Sequence, residues 1–323
     1  MAVSIGIDLG GTKIAGAVVE LDMGEVLHQR VIPTEAHLGT AAVLGRVASV
    51  VNDIIQGARL RTEDIAGLGI GVPGAIDPER GYTTFLPNLP GGWRDVPIVA
   101  EVGRMTGLAT WLINDARAFT LAEAVIGAGR GVQTVVGVTL GTGIGGGIVV
   151  KGHLHEGIAM SAGEIGHMTL DPNGPPCSCG SRGCFETFAS GTAIAASGAY
   201  AVIRGFTTII GDLAGRDLNK ITAETILRAA EQDDAVAKEI LQRSGTYLGI
   251  GLANLVTLLS PEKIVVGGGA ANLGDWILKP AREEIKRRCF VTPLDTVEIV
   301  RATLGNDAGV IGAAVWAGQH VEA

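Results

Sequence analysis

Apolar residues along the chain fall into short β-branched runs and into longer stretches with helical spacing, and this alternation predicts an α/β protein. The predicted strands are Val3–Leu9, Ile14–Val19, Gly67–Val72, Thr110–Ile113, Val135–Leu140, Ile148–Val150, Ile264–Val266 and Val297–Val300. The predicted helices are 41–58, 96–106, 116–126, 222–230, 235–259, 275–288 and about 307–317.

One internal repeat is visible when the sequence is shifted by 131 positions. Residues 5–19 then lie over residues 136–150, and six of the fifteen positions are identical. Chance matching of two segments rich in Gly and Val is the alternative interpretation. We interpret the repeat as two similar halves, each beginning with a strand, a glycine turn and a second strand. Two such turns could hold one polyphosphate from both sides.

Composition excludes several classes of protein. The 323 residues include 25 basic and 33 acidic ones, which gives a net charge of −8 and disfavours a nucleic-acid binder. Aromatic residues make up only 4% of the chain, which disfavours a base-stacking surface. Glycine is abundant, with 49 residues, about twice the usual ~7%. We therefore expect many tight turns and close backbone approaches.

The sequence favours a cytoplasmic protein without a membrane helix. The N-terminus has no basic segment of the kind that begins a signal peptide, and it reaches an acid at Asp8. The uncharged run Gly131–Val150 has the length of a membrane span, but seven of its 20 residues are glycine. Two strands around a glycine turn explain this run better. Three of the four cysteines lie within eight residues, which suggests a metal cluster instead of disulfide bonds.

Two glycine turns are candidate phosphate sites, because clustered backbone N–H groups bind phosphate oxygens well. The first turn, with Asp8, Gly10, Gly11, Thr12 and Lys13, adds a carboxylate for Mg²⁺, a hydroxyl and a cation. A purely structural hairpin with a solvated lysine is the alternative. The second turn contains Thr142 and Gly143.

The second turn also fits the G-x-G-x-x-G pattern of dinucleotide-binding proteins. That pattern must open a helix, whereas a strand is predicted to follow here, so we do not expect a Rossmann fold. A third glycine turn, with Gly268 and Gly269, follows the strand Ile264–Val266. It either lets a base or ribose approach or simply connects a strand to a helix.

His167, Cys177, Cys179 and Cys184 have the spacing H-x9-C-x-C-x4-C. Four nitrogen and sulfur ligands suit a closed, tetrahedral structural Zn²⁺ site, and the surrounding prolines and glycines suit a folded metal loop. Reduced thiols beside an unrelated histidine are the alternative. Such a site would have no open position for chemistry, and its metal would stiffen the loop.

Three carboxylates are candidates for chemistry. Asn114-Asp115 follows a strand and precedes a helix, at the edge where α/β proteins form their clefts. An Asp that caps the helix is the alternative. Glu164 and Glu186 flank the metal loop. There they would either accept hydrogen bonds from sugar hydroxyls or lie in solvent.

These motifs resemble those of the ROK sugar kinases, within the actin-like ATPase superfamily, and among them the bacterial glucokinases most. The matching motifs are Asp8-Leu-Gly-Gly-Thr-Lys13, Gly71-Val-Pro-Gly74, Asn114-Asp115, Leu140-Gly-Thr-Gly-Ile-Gly-Gly-Gly147, Glu164-Ile-Gly-His167 and Cys177-Ser-Cys-Gly-Ser-Arg-Gly-Cys-Phe-Glu186. They occur in family order over most of the chain. The stretch Leu86–Trp93 is longer than is usual in the family.

The resemblance implies a two-domain, ribonuclease H-like fold with an interdomain cleft. The smaller domain would span 1–115 and be completed by a C-terminal helix at about 306–323. The larger domain would span 116–305 and contain a zinc-binding loop at 164–186. The resemblance also implies ATP and Mg²⁺, and it implies a homodimer or homotetramer.

The resemblance implies a role for each matching residue. Asp115 would be the catalytic base that takes the proton from the 6-hydroxyl of glucose. Backbone near Gly74 and the side chains of Asn88, Asn114, Asp115, Glu164, His167 and Glu186 would contact the sugar. His167 would bind zinc through one ring nitrogen and a sugar hydroxyl through the other.

Other functions stay open at this point. Another hexose or N-acetylhexosamine, such as N-acetylmannosamine, fructose, mannose or allose, is an alternative substrate, and polyphosphate is an alternative donor. The same family includes sugar-responsive repressors. We do not expect that function, because the first strand begins at once and no helix-turn-helix segment precedes it.

Overall fold

The computed structural model describes residues 2–86 and 88–321. Met1, Pro87, Glu322 and Ala323 lie outside the described residues. Met1 is the first residue of the expected smaller domain, and Glu322 and Ala323 are the last two residues of the expected C-terminal helix. The chain divides into two compact units. The first unit contains residues 1–133, 147–163 and 302–323, and the second contains 134–146 and 164–301.

The described residues form 12 strands and 10 α-helices, named here in chain order. The strands are β1 Val3–Leu9, β2 Lys13–Glu20, β3 Val26–Pro33, β4 Leu68–Val72, β5 Ala75–Asp77, β6 Tyr82–Phe85, β7 Thr110–Asn114, β8 Thr134–Leu140, β9 Ile144–Val150, β10 His153–Leu154, β11 Lys263–Gly267 and β12 Glu298–Arg301. The helices are α1 Thr40–Gly57, α2 Ile98–Thr106, α3 Asp115–Val125, α4 Glu186–Ala189, α5 Gly191–Ile203, α6 Ile210–Leu213, α7 Ala223–Glu231, α8 Ala235–Leu259, α9 Asp275–Arg288 and α10 Ala308–Val321.

Every predicted strand and helix is present, with ends that differ by a few residues. The helices predicted at 235–259 and 275–288 have the predicted bounds. The strand β3, the helix α5 and the small β5–β6 hairpin were not predicted, and neither were the short elements β10, α4 and α6. Strand β3 is largely exposed, so it lacks the apolar pattern on which the prediction rests.

The two large sheets have the same plan. The first has the strand order β3-β2-β1-β4-β7, and the second has β10-β9-β8-β11-β12. In the first sheet, β1 is antiparallel to β2 and parallel to β4. In the second, β8 takes the place of β1 and is parallel to β11. The interpretation of the repeat as two similar halves is therefore confirmed.

In the first unit, the buried strands β1 and β4 lie between helices. Ile7 lies on the face that meets α1, as shown by the closeness of its side chain to Val50 beside Gly16. On the other face, Gly6 and Gly69 leave room for α10. A Cβ at either glycine would clash with a carbonyl group of that helix. Bare backbone thus lets α10 approach the sheet closely.

The division into units differs from the expected domain bounds. The first unit continues past Asp115 to residue 133. The reason is that α3 packs against α10, where Gly312 lies so close to Ala118 that a Cβ on it would clash with the Ala118 carbonyl. A second boundary between the units falls within β9, after Gly146, because residues 134–146 belong to the second unit and residues 147–163 to the first. The second unit has a helical core in which Gly245 and Gly249 of α8 pack against Pro280 and Ala281 of α9.

We expect Gly69→Ala to destabilise the protein by at least about 2 kcal/mol, because the new methyl group would overlap the carbonyl of Ala313 in α10. The control is Gly45→Ala, at an exposed position of α1 where a Cβ would meet no described atom within 4 Å. That variant should be stabilised by up to ~1 kcal/mol. Urea unfolding followed by circular dichroism measures both. Equal midpoints for the two variants would contradict the packing of α10 on β4.

Candidate functional site

The β1–β2 turn is held in place by three hydrogen bonds. The N–H of Gly10 donates to the carbonyl of Lys13 at 2.9 Å. Thr34, which is fully buried, donates its hydroxyl to the Gly10 carbonyl at 2.7 Å and its N–H to the Thr12 carbonyl at 3.0 Å. The sequence did not single out Thr34. Its hydrogen bonds fix the shape of the turn that was predicted to hold phosphate.

Asp8 lies at the end of β1, beside this turn. Burial raises the pKa of its carboxyl group, and the nearby Lys13 ammonium acts in the opposite direction. The Cα of Gly309, in the first turn of α10, faces the carboxylate: a Cβ there would lie 3.3 Å from Cγ of Asp8. The start of a helix favours negative charge. Asp8 is therefore a half-buried carboxyl group beside a lysine and a helix start, and an oxygen ligand there suits a hard cation such as Mg²⁺.

Asn114 is the N-cap of α3. Its Oδ1 accepts from the N–H groups of Ala116 at 3.0 Å and Arg117 at 3.3 Å. Its Nδ2 donates to the carbonyl of Gly74 at 3.1 Å, so one buried side chain joins the β7–α3 junction to the loop after β4. In the sequence, Asp115 was the candidate capping residue, and the structure gives that role to its neighbour.

Asp115 is the first residue of α3, and its side chain is accessible to solvent. Desolvation by the surrounding protein is the largest effect on its pKa and raises it from 3.8 to about 6. The Asp8 carboxylate raises this pKa further, while the N–H of Ala116, at 2.8 Å from Oδ1, and the Arg117 guanidinium lower it. A carboxylate with a pKa near the working pH is suited to general-base catalysis.

Two charged residues of α3 support this region and were not predicted. Arg117 is buried, and its Nε donates to the Ala162 carbonyl at 3.0 Å. Glu123 is fully buried and accepts from the N–H groups of Ala128, Thr303 and Leu304 at 2.8–2.9 Å. It thereby fixes the segment that leads into α10. The signal was available, since both charges interrupt an otherwise apolar helix.

Asn88, one of the expected sugar contacts, is exposed and lies against the first glycine turn. A Cβ at Gly11 would come 2.5 Å from the Asn88 carbonyl oxygen. The first unit therefore brings together the β1–β2 turn and Asn88. It also brings together Gly74, Asn114 and Asp115.

The second glycine turn, in the second unit, is fixed in a similar way to the first. The N–H of Gly141 donates to the Gly143 carbonyl at 3.0 Å, and the N–H of Gly191, which begins α5, donates to the Gly141 carbonyl at 2.8 Å. Gly268, which has φ +86°, packs against the backbone of Leu140 at the end of β8. Because β8 and β11 are parallel, the turn with Thr142 and Gly143 and the turn with Gly268 and Gly269 lie at the same edge of the sheet.

The structure brings His167, Cys177, Cys179 and Cys184 together in one cluster, with all ligand atoms within 4.8 Å of one another. Nδ1 of His167 lies 3.7 Å from Sγ of Cys177, and the sulfurs of Cys179 and Cys184 are 3.7 Å apart. In a tetrahedral site with Zn–S bonds of ~2.3 Å, ligand atoms are about 3.8 Å apart. The donor set and its spacing therefore fit a zinc ion.

Glu164 and Glu186 lie beside this cluster, close to His167. His167 turns Nδ1 toward the cysteines, and its Nε2 lies 3.9 Å from Oε2 of Glu164. Oε1 of Glu186 lies 3.0 Å from Sγ of Cys177 and 3.7 Å from Nδ1 of His167. The second unit therefore places the cluster and both candidate glutamates in one region.

Comparison with known proteins gives consistent matches over nearly the whole chain. The model of the ROK family matches residues 4–320. A glucokinase of Halalkalibacterium halodurans is 38% identical over 312 residues, which cover 95% of this chain and 92% of that protein. The crystal structure of a ROK hexokinase from Thermus thermophilus has a TM-score of 0.84 at 33% identity and covers 99% of both chains.

A ROK family glucokinase from Streptomyces griseus, crystallised with glucose and AMPPNP, has a TM-score of 0.81 at 33% identity. The match covers 98% of this chain and 100% of that one. These neighbours and the duplicated sheet define the class of protein as one with the actin-like ATPase fold. Within that class, the chain belongs to the ROK family.

No helix among the described residues has both the length and the apolar character needed to cross a bilayer. The uncharged run Gly131–Val150 instead contains β8, the second glycine turn and β9, as predicted.

We expect Glu123→Gln to destabilise the protein by about 1–3 kcal/mol, because one carboxylate oxygen that accepts N–H groups becomes an NH₂ that cannot accept them. Glu101→Gln is the control: the Glu101 side chain, in α2, is 43% exposed and pairs with Arg104, and such a pair contributes little. Thermal unfolding of both variants tests this. Equal melting temperatures would mean that Glu123 does not hold the segment before α10.

Proposed function

We propose that this protein transfers the γ-phosphoryl group of ATP to the 6-hydroxyl of glucose, with Asp115 as the general base. The observation that carries this proposal is the state of Asp115. It is a solvent-accessible carboxylate at the end of a buried strand, and desolvation by the surrounding protein, together with the Asp8 carboxylate, raises its pKa to about 6. The glucokinase relatives support the choice of reaction and of substrate.

Phosphoryl transfer depends mainly on alignment and on neutralisation of charge. In the first unit, the backbone of Gly10, Gly11 and Thr12 and the Lys13 ammonium would hold phosphate oxygens, and Asp8 would hold Mg²⁺ directly or through water. That ion neutralises phosphate charge when bound. In the second unit, Thr142, Gly143, Gly268 and Gly269 would contact the nucleotide. Asp115 would orient the 6-hydroxyl and accept its proton as the new P–O bond forms.

The sugar contacts that we propose are Gly74, Asn88, Asn114, Asp115, Glu164, His167 and Glu186. Asn114 uses Oδ1 to cap α3 and one amide hydrogen for the Gly74 carbonyl, which leaves its second amide hydrogen for a hydroxyl. The orientation of His167 supports its double role, because Nδ1 faces the cysteines and Nε2 points away from them. Zinc on Nδ1 would then fix the direction of Nε2.

Other hexoses and N-acetylhexosamines remain the second candidate class of substrate, since such sugars differ in a single hydroxyl or substituent. A coupled assay of ADP release with glucose, mannose, fructose, allose and N-acetylmannosamine tests the proposal, with polyphosphate as an alternative donor. We expect the highest kcat/KM with glucose and ATP. A higher value with another sugar would correct the substrate, and no turnover with any of these sugars would overturn the proposed activity.

We further propose that the protein acts in the cytoplasm as a homodimer or homotetramer.

Replacing the base should separate binding from chemistry. We expect Asp115→Ala to bind glucose with a Kd within about an order of magnitude of that of the original protein and to lose at least ~100-fold in kcat.

In the unsubstituted protein, kcat should fall below pH ~6, because the raised pKa means that Asp115 takes up a proton there and can no longer accept one. Steady-state kinetics between pH 5 and pH 8 measure both effects.

The matched control is Asp53→Ala, in α1, which removes an acid that pairs with Arg30. It should keep the original kcat and the original pH profile. If Asp115→Ala turned over glucose as fast as this control, Asp115 would not be the base.

We propose that the cysteine cluster holds one structural Zn²⁺. Burial raises the pKa of the Cys177 and Cys184 thiols in the metal-free chain, so a cation must displace their protons, and its affinity should fall as the pH falls. We expect Cys179→Ser to lose the metal with little loss of packing, because Cys179 is exposed. Cys289→Ser, at the fourth cysteine, should keep it. Zinc analysis of the purified proteins decides, and equal zinc in both variants would exclude this site.

A further inference from the structure

Gly143 lies directly beside the carboxylate of Glu186. A Cβ built on Gly143 would overlap Oε2 of Glu186 and would lie 3.6 Å from its Cδ. Apart from the adjoining residues 142 and 144, no other atom of the described residues lies within 4 Å of that Cβ. The space that a side chain at 143 would fill is therefore occupied by one functional group, the end of the Glu186 side chain.

We infer that Gly143 is a positioning residue for the sugar. Because glycine has no side chain, the space beside it is free for the carboxylate of Glu186. This inference rests on the proposed function, since it takes Glu186 to be a sugar contact. From the sequence, Gly143 was expected to serve the nucleotide through its backbone. The geometry adds a second role, which acts through Glu186.

The backbone of Gly143 does not itself require glycine. Its φ lies outside the left-handed region that disfavours residues with a side chain. The turn is held by the hydrogen bond from the Gly141 N–H to the Gly143 carbonyl, which an alanine at 143 would keep. An alanine here should therefore leave the fold intact and act mainly on Glu186.

Glu186 has little freedom to move away from such an alanine. Its other oxygen, Oε1, lies 3.0 Å from Sγ of Cys177, on the side of the metal cluster. Its backbone follows the fully buried Phe185, and its carbonyl accepts from the N–H of Ser190 at 3.2 Å. The side chain is only 18% exposed. A methyl group at 143 must therefore turn the carboxylate away from its present direction.

The experiment measures the KM for glucose and the KM for ATP of Gly143→Ala, together with glucose binding in the absence of ATP by calorimetry. We expect the glucose KM and Kd to rise about tenfold, equivalent to ~1.4 kcal/mol, while the KM for ATP changes less than about twofold. An effect on the nucleotide alone would raise the ATP KM instead. That result, or an unchanged glucose Kd, would overturn the inference.

Gly141→Ala is the matched control, because Gly141 belongs to the same turn and a Cβ there would contact, within 4 Å, no described residue beyond its two chain neighbours. It should leave the glucose Kd unchanged, whatever it does to the KM for ATP. An equal rise of the glucose Kd in both variants would show that the turn as a whole, and not the space beside Glu186, is responsible, and would overturn the inference.

A double-mutant cycle tests whether the effect acts through Glu186. Glu186→Asp shortens the side chain by one methylene and withdraws its oxygens from residue 143. We expect Gly143→Ala to raise the glucose Kd about tenfold with Glu at 186 and less than about twofold with Asp there. Equal factors in the two backgrounds would contradict the inference. Lack of glucose turnover by the unsubstituted protein would instead overturn the proposed function, and this inference with it.

Discussion

The side-chain amide of Asn114 is the contact on which the candidate catalytic region depends most. It satisfies the first N–H groups of α3 and also holds the Gly74 carbonyl, so it fixes the point where a buried strand becomes a helix. The helix then begins at Asp115, whose carboxylate is reached by solvent yet carries a raised pKa. Without this cap, the direction of the proposed base and the position of the loop after β4 would both be lost.

The duplicated sheet explains why two glycine turns were visible in the sequence. Each turn follows the strand that is central to its half, β1 or β8, and each is closed by backbone hydrogen bonds. The second half differs from the first by the loop that gathers His167 and Glu186 around three cysteines. In the first half, by comparison, the buried Glu123 is held by the backbone N–H groups of Thr303 and Leu304.

Most of the fold and the grouping of His167 with three cysteines could be predicted, because apolar periodicity and the spacing of these residues are local properties of the sequence. The exposed strand β3 was missed, since it has no apolar face to reveal it. The roles of Thr34 and Glu123 were missed for another reason, because their partners lie far away in sequence, as with Thr303 for Glu123. The contact between Gly143 and Glu186 likewise joins two motifs that the sequence shows separately.

We propose that Asp115 takes the proton from the 6-hydroxyl of glucose during phosphoryl transfer. A crystal structure of the protein with glucose and a non-hydrolysable ATP analogue would show whether the two groups meet. We expect an Asp115 carboxylate oxygen within hydrogen-bonding distance, ~2.6–3.2 Å, of the glucose O6. A bound glucose whose O6 is hydrogen-bonded to another group, with Asp115 beyond its reach, would show that Asp115 is not the base.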